Sequence, residues 1–427
     1  MTAPLDWSTG QGRVDLRVAR LPAADPEKRI GVLMFNPGGP GNGAVGYVTS
    51  PVYAEQYFGR EILDRFDVVA VDPRGVAGSQ GLSCGLPAYD PAVNRFPVDR
   101  RGLDVLVGAN AQFAESCREL SGPLAEHLDT LSVARDLDLV RGRLGEPKIS
   151  FLGVSYGTMV GRAYGELFPR RLRALALDAV VDRSLSARQL VLDGAGAVQD
   201  GVERFAGWCA TQGCGLDVRA ALTQILALAD RGGLRSDGQP VSAYEVQLGV
   251  NAYLQTPLAY PDLVNALSAA QRGEGTGLRA VGMQENQAMY GMYRAIICQD
   301  IGTDFVGRLP ETGLQLRENA PALRGYSEFW DIASGCAGWP VPPRWQPHPW
   351  PASAASALPP TLLLSGTHDV ATPPAWAERV HRQLPGSVLL RWDGDGHSAW
   401  QLNSRCATDA TVRYLVTLAP PADGTVC

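Results

Sequence analysis

The sequence of 427 residues lacks several features that mark whole classes of protein. It contains no apolar run near the roughly 18 residues that a membrane-spanning helix needs. Lysine and arginine total 38 against 44 acidic residues, the net charge is −6, and no basic run or basic-aromatic patch is present. Internal repeats and low-complexity segments are also missing. These absences argue against a membrane span and against nucleic-acid binding.

Histidine is scarce as well, and the cysteines are not arranged as metal ligands. None of the five histidines clusters with the eight cysteines, and no Cys-x-x-Cys pair occurs, so we expect no metal site. An even number of cysteines favours disulfides and an oxidising compartment. Of the about 105 possible pairings, we expect the sequential one: Cys84–Cys117, Cys209–Cys214, Cys298–Cys336 and Cys406–Cys427. Eight reduced, buried thiols in a cytosolic protein are the alternative.

The first residues, Met1–Trp7, have neither the basic start nor the apolar centre of a signal peptide. The cysteines nevertheless predict an exported protein. We therefore expect a secreted, extracellular protein whose leader has been removed, with a cytoplasmic protein as the alternative.

Short apolar runs alternate with helix-like stretches through much of the chain. Continuous apolar strands alternating with helices are typical of a buried, mostly parallel sheet covered on both faces, so an α/β fold is predicted. The predicted strands are Val14–Ala19, Arg29–Phe35, Phe66–Val71, Lys148–Val154, Leu172–Leu177, Thr361–Gly366 and Ser387–Trp392. The helices predicted between them are Leu131–Leu144, Tyr156–Phe168, Pro374–Leu384 and Ala407–Thr417.

The middle of the chain has a different character. From residue 183 to residue 347, strand signals are rare and Ala- and Leu-rich helical segments dominate. We predict a first part of an α/β core over residues 1–182, a helical insertion over residues 183–347 and a second part of the core over residues 348–427. The Pro- and Trp-rich segment Pro340–Pro360 is predicted to be the linker back to the sheet.

Gly153-Val154-Ser155-Tyr156-Gly157 lies between a predicted strand and a predicted helix. In that context Gly-x-Ser-x-Gly forms a nucleophile elbow, a strained turn that lifts the serine hydroxyl above the sheet edge. The dipole of the following helix favours developing negative charge at its N-terminus. We predict Ser155 as a nucleophile, against the alternative of a plain tight turn.

A serine nucleophile needs a base, and the base needs an orienting carboxylate. His397 lies in a glycine loop after the last predicted strand, where the chain order Ser…Asp…His places the base. Asp369 follows the strand Thr361–Gly366 and is the predicted acid. Asp178, after an earlier strand, is its rival, whereas Asp395 lies too close to His397 in sequence to be a good partner.

The tetrahedral intermediate of acyl transfer requires paired backbone N–H donors. One is expected from Tyr156, the residue after the nucleophile. The other is expected from the loop Asn-Pro-Gly-Gly-Pro-Gly at residues 36–41, where we favour the amide of Gly39 over that of Gly38. Asp72-Pro73-Arg74-Gly75 also ends a strand, and for it we predict a structural role.

Together these motifs resemble the tripeptidyl aminopeptidase branch of the proline-iminopeptidase-like α/β-hydrolases, largely secreted peptidases of actinomycete-type bacteria. The resemblance rests on the loop at 36–41, Asp-Pro-Arg-Gly at 72–75, Gly-Val-Ser-Tyr-Gly-Thr at 153–158, Ser-Gly-Thr-x-Asp at 365–369 and Asp-Gly-His at 395–397, and it extends over nearly the whole chain. It implies a triad of Ser155, Asp369 and His397, a helical cap over the active site, and no metal or cofactor. The cysteine distribution is similar to that of the family, whose members usually carry a signal sequence and a cysteine-bearing segment before the Pro-Leu-Asp motif.

The substrate implied by the resemblance is a small peptide, cleaved near its N-terminus. Binding of a free α-ammonium calls for carboxylates in the cap, and Glu245, Glu285 and Asp300 are the candidates, with Asp304 behind them. An apolar side-chain pocket could be lined by Tyr290, Tyr293 and Trp330.

Two rival functions stay open from the sequence. One is an esterase, lactonase or specialised-metabolite amide hydrolase with the same triad, since the family includes enzymes that hydrolyse other amides or esters. The other is a non-catalytic binding protein of this fold.

Overall fold

The computed structural model describes residues 1–279 and 287–427. Within these ranges the strands are β1 (Thr2–Pro4), β2 (Arg13–Asp15), β3 (Val18–Leu21), β4 (Gly31–Asn36), β5 (Phe66–Val71), β6 (Ile149–Val154), β7 (Leu172–Asp178), β8 (Arg235–Ser236), β9 (Gln239–Pro240), β10 (Thr361–His368) and β11 (Val388–Asp395). The helices are α1 (Val45–Thr49), α2 (Pro51–Arg65), α3 (Arg100–Ser121), α4 (Thr130–Arg143), α5 (Tyr156–Leu167), α6 (Ala187–Gln212), α7 (Val218–Asp230), α8 (Ala243–Leu254), α9 (Tyr260–Gln271), α10 (Thr276–Arg279), α11 (Gln287–Asp300), α12 (Leu309–Asn319), α13 (Glu328–Cys336), α14 (Ala352–Ala355), α15 (Pro374–Gln383) and α16 (Arg405–Thr417).

The central sheet contains seven of the described strands, in the order β11-β10-β7-β6-β4-β5-β3. Its pairings are parallel except that β3 runs antiparallel to β5. Alternate side chains of one strand enter different apolar cores, since Leu33 packs on one face of the sheet and Met34 on the other. The predicted α/β fold, with a mostly parallel sheet buried on both faces, is confirmed.

The single predicted strand Val14–Ala19 is wrong. Its first half belongs to β2, which pairs with β1 in a separate two-stranded sheet, and its second half belongs to β3 at the edge of the central sheet. Between them the amide of Arg17 donates to the hydroxyl of Ser79 at 2.7 Å. The apolar alternation of this segment fits either sheet, and only contacts with distant residues divide it.

The chain between β7 and β10 is mainly helical and includes α6 to α13, with β8 and β9 as a short hairpin. We call residues 183–347 the cap. The predicted boundaries of this segment stay a prediction. The Pro- and Trp-rich segment behind it packs against the core, with Trp345 and Trp350 only 3% and 5% exposed.

All eight cysteines are paired in disulfides, in the expected sequential order. Cys298–Cys336 joins α11 to α13 inside the cap. Cys406–Cys427 ties the last residue of the sequence to α16. The amide of Cys427 also donates to the carbonyl of Arg391 at 2.7 Å, so the C-terminal tail is held along β11.

The Asp-Pro-Arg-Gly motif supplies the buried Arg74, whose contacts are structural. Its guanidinium pairs with Asp136 at 2.7 Å and donates to the carbonyl oxygens of Pro4, Leu5 and His127. One side chain thereby connects the N-terminal hairpin, α4 and the loop before α4.

No helix within the described residues has the length and apolar character required to cross a membrane. No group of three or more His, Cys, Asp or Glu side chains there is arranged to hold a metal ion.

Candidate active site

Ser155 occupies the turn between β6 and α5 in a strained conformation, with φ 56° and ψ −123°. Its glycine neighbours are a steric requirement of this turn. A Cβ atom on Gly153 would lie 2.3 Å from the carbonyl oxygen of Gly157, and a Cβ atom on Gly157 would lie 2.3 Å from the carbonyl oxygen of Asn36. The Gly-x-Ser-x-Gly pattern therefore lets β6, α5 and the loop after β4 approach one another around Ser155.

The imidazole of His397 is hydrogen-bonded to the carboxylate of Asp369, with Nδ1 at 2.9 Å from both oxygens. The carboxylate is fixed by its own loop, because it accepts from the amides of Ala371 and Thr372 at 2.8 and 2.9 Å and from the Thr372 hydroxyl at 2.8 Å. The backbone amide of His397 donates to the carbonyl of Gln255 in the cap at 2.8 Å. The ring is thus oriented from the core, and its backbone is held by the cap.

Asp178, the rival acid, forms no hydrogen bond with the imidazole ring. It is buried at the end of β7, and its Oδ2 accepts from the Ser398 hydroxyl at 2.7 Å and from the Trp400 amide at 2.8 Å. Asp395 instead forms an ion pair with Arg204 at 2.7 Å. Asp178 therefore holds the loop that follows His397, and Asp369 orients the ring.

The surroundings of His397 favour its protonated form. Burial lowers the pKa of the imidazole, but the charge and hydrogen bond of Asp369 raise it, as do the charges of Glu328 and Asp178, and the resulting pKa is about 9. An imidazolium formed by proton transfer from a nucleophile is therefore stabilised at this position.

Two backbone amides beside Ser155 are the predicted oxyanion donors. The amide of Gly38 donates to Asn36 Oδ1 at 3.0 Å and is therefore already used. The amide of Gly39 makes no hydrogen bond within the described ranges, and the amide of Tyr156, at the start of α5, has no intrahelical acceptor. Both residues line a small cavity of about 20 Å³ together with Ser155. This arrangement favours Gly39 over Gly38 as the second donor.

A larger cavity of about 340 Å³ lies between the sheet edge and the cap. The core contributes the wall that carries Ser155 and His397. The cap contributes a wall of apolar, aromatic and polar side chains that includes Leu248, Asn251, Tyr290, Tyr293, Tyr326, Glu328 and Asp331. A volume of this size is within the range of small-molecule and cofactor sites.

Of the predicted substrate-binding residues, Tyr293 lines this cavity, where its hydroxyl donates to Glu328 at 2.8 Å. Tyr290, expected as a pocket residue, also lines it. Trp330 is fully buried and donates to the carbonyl of Arg95 at 3.1 Å, so it is a packing residue. Glu285 lies outside the described residues.

The predicted carboxylates Glu245 and Asp300 require correction, because neither is among the residues that line the cavity. Glu245 caps α8 by accepting from the Ser242 amide at 2.8 Å. Asp300 is buried and accepts from the amide and hydroxyl of Thr130 at 2.9 and 2.5 Å. Asp304 lines a separate cavity of about 180 Å³. All three are acidic residues of the cap, but sequence alone did not show which parts of the cap meet the sheet edge.

The sequence interpretation missed the two carboxylates that do face the cavity, Glu328 and Asp331 in the first turn of α13. Acidic residues three apart at a helix start are common because they complement the helix dipole. The sequence signal was therefore ambiguous. Their position on the cavity wall becomes visible only when α13 is placed opposite Ser155.

Comparison with known proteins identifies the family. Residues 31–232 match the alpha/beta hydrolase fold family and residues 322–427 match the family of TAP-like proteins. Serine protease Hip1 of Mycobacterium tuberculosis is 32% identical to this chain over 100% of its length and 86% of the relative's. The chain belongs to the α/β-hydrolases. Within that family, these matches place it among the serine peptidases and hydrolases of the TAP-like branch.

Further relatives of this α/β-hydrolase carry different names. Tripeptidyl aminopeptidase of Streptomyces coelicolor is 28% identical over 100% of this chain and 82% of the relative. Carboxylesterase B of Mycobacterium tuberculosis is 32% identical over 98% of this chain and 84% of the relative. Among solved structures, esterase E22 aligns over 95% of each chain at 14% identity with a TM-score of 0.45.

Proposed function

We propose that this hydrolase is an exo-acting aminopeptidase that releases residues or short peptides from a free N-terminus, using Ser155, His397 and Asp369. One observation carries the proposal. The cavity that presents Ser155 and His397 on its core wall presents the carboxylate of Glu328 on its cap wall. A peptide whose scissile carbonyl lies at Ser155 could therefore place its α-ammonium beside an acidic group.

In the proposed reaction, His397 takes the proton of the Ser155 hydroxyl as the oxygen attacks the carbonyl carbon. The oxyanion accepts hydrogen bonds from the amides of Gly39 and Tyr156. His397 then gives its proton to the leaving amine, and the acyl group stays on Ser155. Water, activated by His397, hydrolyses this ester and restores the serine. Asp369 keeps the imidazole in the tautomer that both transfers require.

Glu328 suits the ammonium better than Asp331 does. Asp331 already accepts from the hydroxyls of Tyr290, at 2.7 Å, and Tyr244. The guanidinium of Arg294 in turn donates to the Tyr290 hydroxyl at 3.2 Å. Glu328 accepts from Tyr293 at 2.8 Å and from no other donor in the described ranges. Burial raises the pKa of the Glu328 carboxyl, although the hydrogen bond from Tyr293 and the charge of His397 oppose this. A substrate cation would supply the missing countercharge.

Asn251 adds a second polar group to the same wall. The residue is 5% exposed, and its side-chain Oδ1 has no hydrogen-bond partner among the described residues. A buried carbonyl oxygen without a partner costs about 1–3 kcal/mol. An ammonium has three N–H donors, so it could bind Glu328 and Asn251 together.

The test compares two chromogenic amides that differ only in a free or acetylated N-terminus. We expect wild type to prefer the free substrate, and Glu328→Gln to lower the ratio of kcat/KM for the free substrate to kcat/KM for the acetylated one by about 10–100-fold. Glu311→Gln, on the exposed face of α12, is the matched control. Equal turnover of both amides by wild type would contradict the exopeptidase proposal.

An esterase is the second candidate, supported by the relative named carboxylesterase B. Simple esters added to the same panel separate the two functions. Turnover of esters without any turnover of amides would favour the esterase. If neither is hydrolysed, and a fluorophosphonate labels wild type no more than Ser155→Ala, the chain is a binding protein of this fold.

We also propose an extracellular location. The four disulfides support it, because such bonds persist in oxidising compartments. Fractionation of the producing cells tests this proposal. Recovery of the intact, disulfide-bonded protein in the medium is expected, and recovery in reduced form from the cytoplasm would contradict it.

A further inference from the structure

A second cavity, of about 310 Å³, borders the active-site cavity at Gln401, which lines both. The side chain of Gln401 donates to the carbonyl of Pro37 at 2.9 Å, and its backbone amide donates to the Ser398 hydroxyl at 3.0 Å. The boundary between the cavities is thus fixed to the loop after β4 on one side and to the loop after His397 on the other. We call the second space the α2–α16 cavity, since most of its wall comes from those two helices.

The side of the active site on which the leaving amine departs relates the α2–α16 cavity to the substrate. His397 protonates the leaving amine, so the part of a peptide beyond the scissile bond departs on the histidine side. Gln401 lines the active-site cavity together with His397, and we place it at the start of that path. The acylating part, with its ammonium, points instead toward Glu328 in the cap. The α2–α16 cavity is therefore placed to receive residues on the leaving-group side.

The wall of the α2–α16 cavity carries unused hydrogen-bonding capacity. Thr408 lines it and has a buried hydroxyl oxygen with no hydrogen-bond partner among the described residues, and Tyr57 on the same wall has its hydroxyl beside the side chain of Gln401. The carboxamides of Gln56, Gln401 and Asn403 also belong to this wall. Hydroxyls and carboxamides both donate and accept, which suits the alternating N–H and C=O groups of a peptide main chain.

The shape of the cavity has an origin in the sequence. Gly59 interrupts α2 with φ 71° and ψ 161°, which no ordinary residue adopts without strain. A Cβ atom on Gly59 would meet nothing within 4 Å, so the glycine is required for the backbone bend and not for close packing. The bend breaks the surface of α2 opposite α16, where residues 56–61 line the cavity.

We propose that the α2–α16 cavity is a subsite for the peptide segment that follows the scissile bond. This inference rests on the proposed function, because it requires a peptide leaving group. A substrate with a small arylamine leaving group ends before Gln401, whereas a longer peptide continues into the cavity and gains contacts there. The enzyme then acts faster on peptides than on short amides with the same acyl part.

The experiment measures kcat/KM, which includes every step up to release of the leaving group, for two substrates with the same acyl part. One carries a 4-nitroanilide, and the other continues for three residues past the scissile bond. Gln56→Trp places a large ring at the cavity and Thr408→Val removes one buried hydroxyl. Glu55→Trp, one position away on the exposed surface of α2, is the matched control for the tryptophan.

We expect the peptide to be the better substrate of wild type. Gln56→Trp should lower kcat/KM for the peptide by about tenfold and Thr408→Val by about threefold, with the nitroanilide unchanged in both variants and Glu55→Trp unchanged on both substrates. An equal loss on both substrates, or no loss on the peptide in either variant, overturns the proposal. If Gln56→Trp does not fold, Thr408→Val decides the matter alone.

Repeating the series with acetylated N-termini separates this proposal from the previous one. If acetylated and free peptides are hydrolysed equally well and both gain from a longer leaving group, the subsite stands and the exopeptidase proposal fails. If a free N-terminus is required but a longer leaving group brings no advantage, the subsite is overturned and the exopeptidase proposal stands.

Discussion

The core wall and the cap wall of the active-site cavity are held in place by different means. On the core wall the main chain determines the geometry, through the positive φ of Ser155 and the amides of Ala371 and Thr372 that bind Asp369. On the cap wall the carboxylates Glu328 and Asp331 are held by tyrosine hydroxyls. The groups of the proposed triad thus depend on backbone conformation. The carboxylates that face the cavity depend on side-chain tips, which single substitutions can change.

The two walls are joined by the loop that carries His397. The His397 amide donates to the carbonyl of Gln255 in the cap. A Cβ atom on Gly396 would lie 2.6 Å from Pro257 and 2.7 Å from the Gln255 oxygen, so the backbones are in close contact. The Arg204–Asp395 ion pair adds a second link. Changes in the cap near these residues can therefore alter the orientation of the imidazole.

The largest effect is expected from the acid on the core wall. Asp369→Asn should lower kcat by about 10⁴-fold, because the imidazole loses the partner that sets its tautomer. Asp178→Asn should lower kcat far less and should instead reduce the free energy of unfolding by about 1–3 kcal/mol, because it weakens the anchor of Ser398 and Trp400. Steady-state rates and urea unfolding of both variants measure the contrast. A reversed ranking would make Asp178 the orienting acid.

Two glycine-to-alanine substitutions compare how tightly the core and the cap are packed. Gly153→Ala on the core wall forces a contact of 2.3 Å with the Gly157 carbonyl and should destabilise the protein by about 3 kcal/mol or more. Gly196→Ala, in the middle of α6 in the cap with nothing within 4 Å, should stabilise it by about 0.5–1 kcal/mol. Both are read from urea unfolding. Similar effects at the two positions would contradict the difference between the regions.

The pH profile shows how the cap wall acts on the core wall. His397 must be neutral to accept a proton, so kcat/KM should rise with pH through its pKa of about 9. Glu328→Gln removes a negative charge that raises this pKa, so the rising limb should move to lower pH. Rates measured for the acetylated amide, which has no ammonium to bind Glu328, isolate this effect. An unmoved limb would show that Glu328 does not influence the imidazole.

The same ionisation should appear in stability. The pKa of His397 is raised from 6.5 in the unfolded chain to about 9 in the folded protein. Its contribution to stability is therefore fully present below pH 6.5 and is lost as the pH rises through about 9. Urea unfolding of wild type and His397→Gln across this interval should show a stability difference that shrinks with rising pH. A constant difference would contradict the raised pKa.

The smallest effect is expected from a single hydroxyl of the cap wall. Tyr293→Phe removes the 2.8 Å hydrogen bond to Glu328 and should lower kcat/KM for a free N-terminus by about threefold to tenfold, with stability nearly unchanged. Tyr290→Phe, whose hydroxyl binds the more deeply enclosed Asp331, should mainly reduce stability. Amide hydrolysis and thermal unfolding compare the two. An equal rate loss in both variants would mean that Asp331 also serves the substrate.

The sequence predicted elements wherever the signal is local. The run Ile149–Val154 is mostly apolar, and Gly153, Ser155 and Gly157 mark the turn at its end, so strand, turn and helix could each be inferred from a few neighbouring residues. The prediction of a single strand over Val14–Ala19 was wrong because the two halves of this segment pair with different strands. The sequence interpretation chose Glu245 and missed Glu328 for a similar reason. Both residues lie in the first turn of a helix, and they differ only in what that helix faces.

By itself the sequence determined the α/β-hydrolase fold, the order of its strands along the chain and the motifs that carry Ser155, Asp369 and His397. Tertiary structure alone decided that Asp369 and not Asp178 is hydrogen-bonded to the imidazole, that Glu328 faces the cavity while Glu245 caps a helix, and that Gln401 separates two cavities. The physical reason is the distance along the chain over which each interaction acts. Periodicity, capping and turn strain act between neighbours in the chain, whereas a carboxylate's partner is set by the packing of helices and strands that lie far apart in sequence.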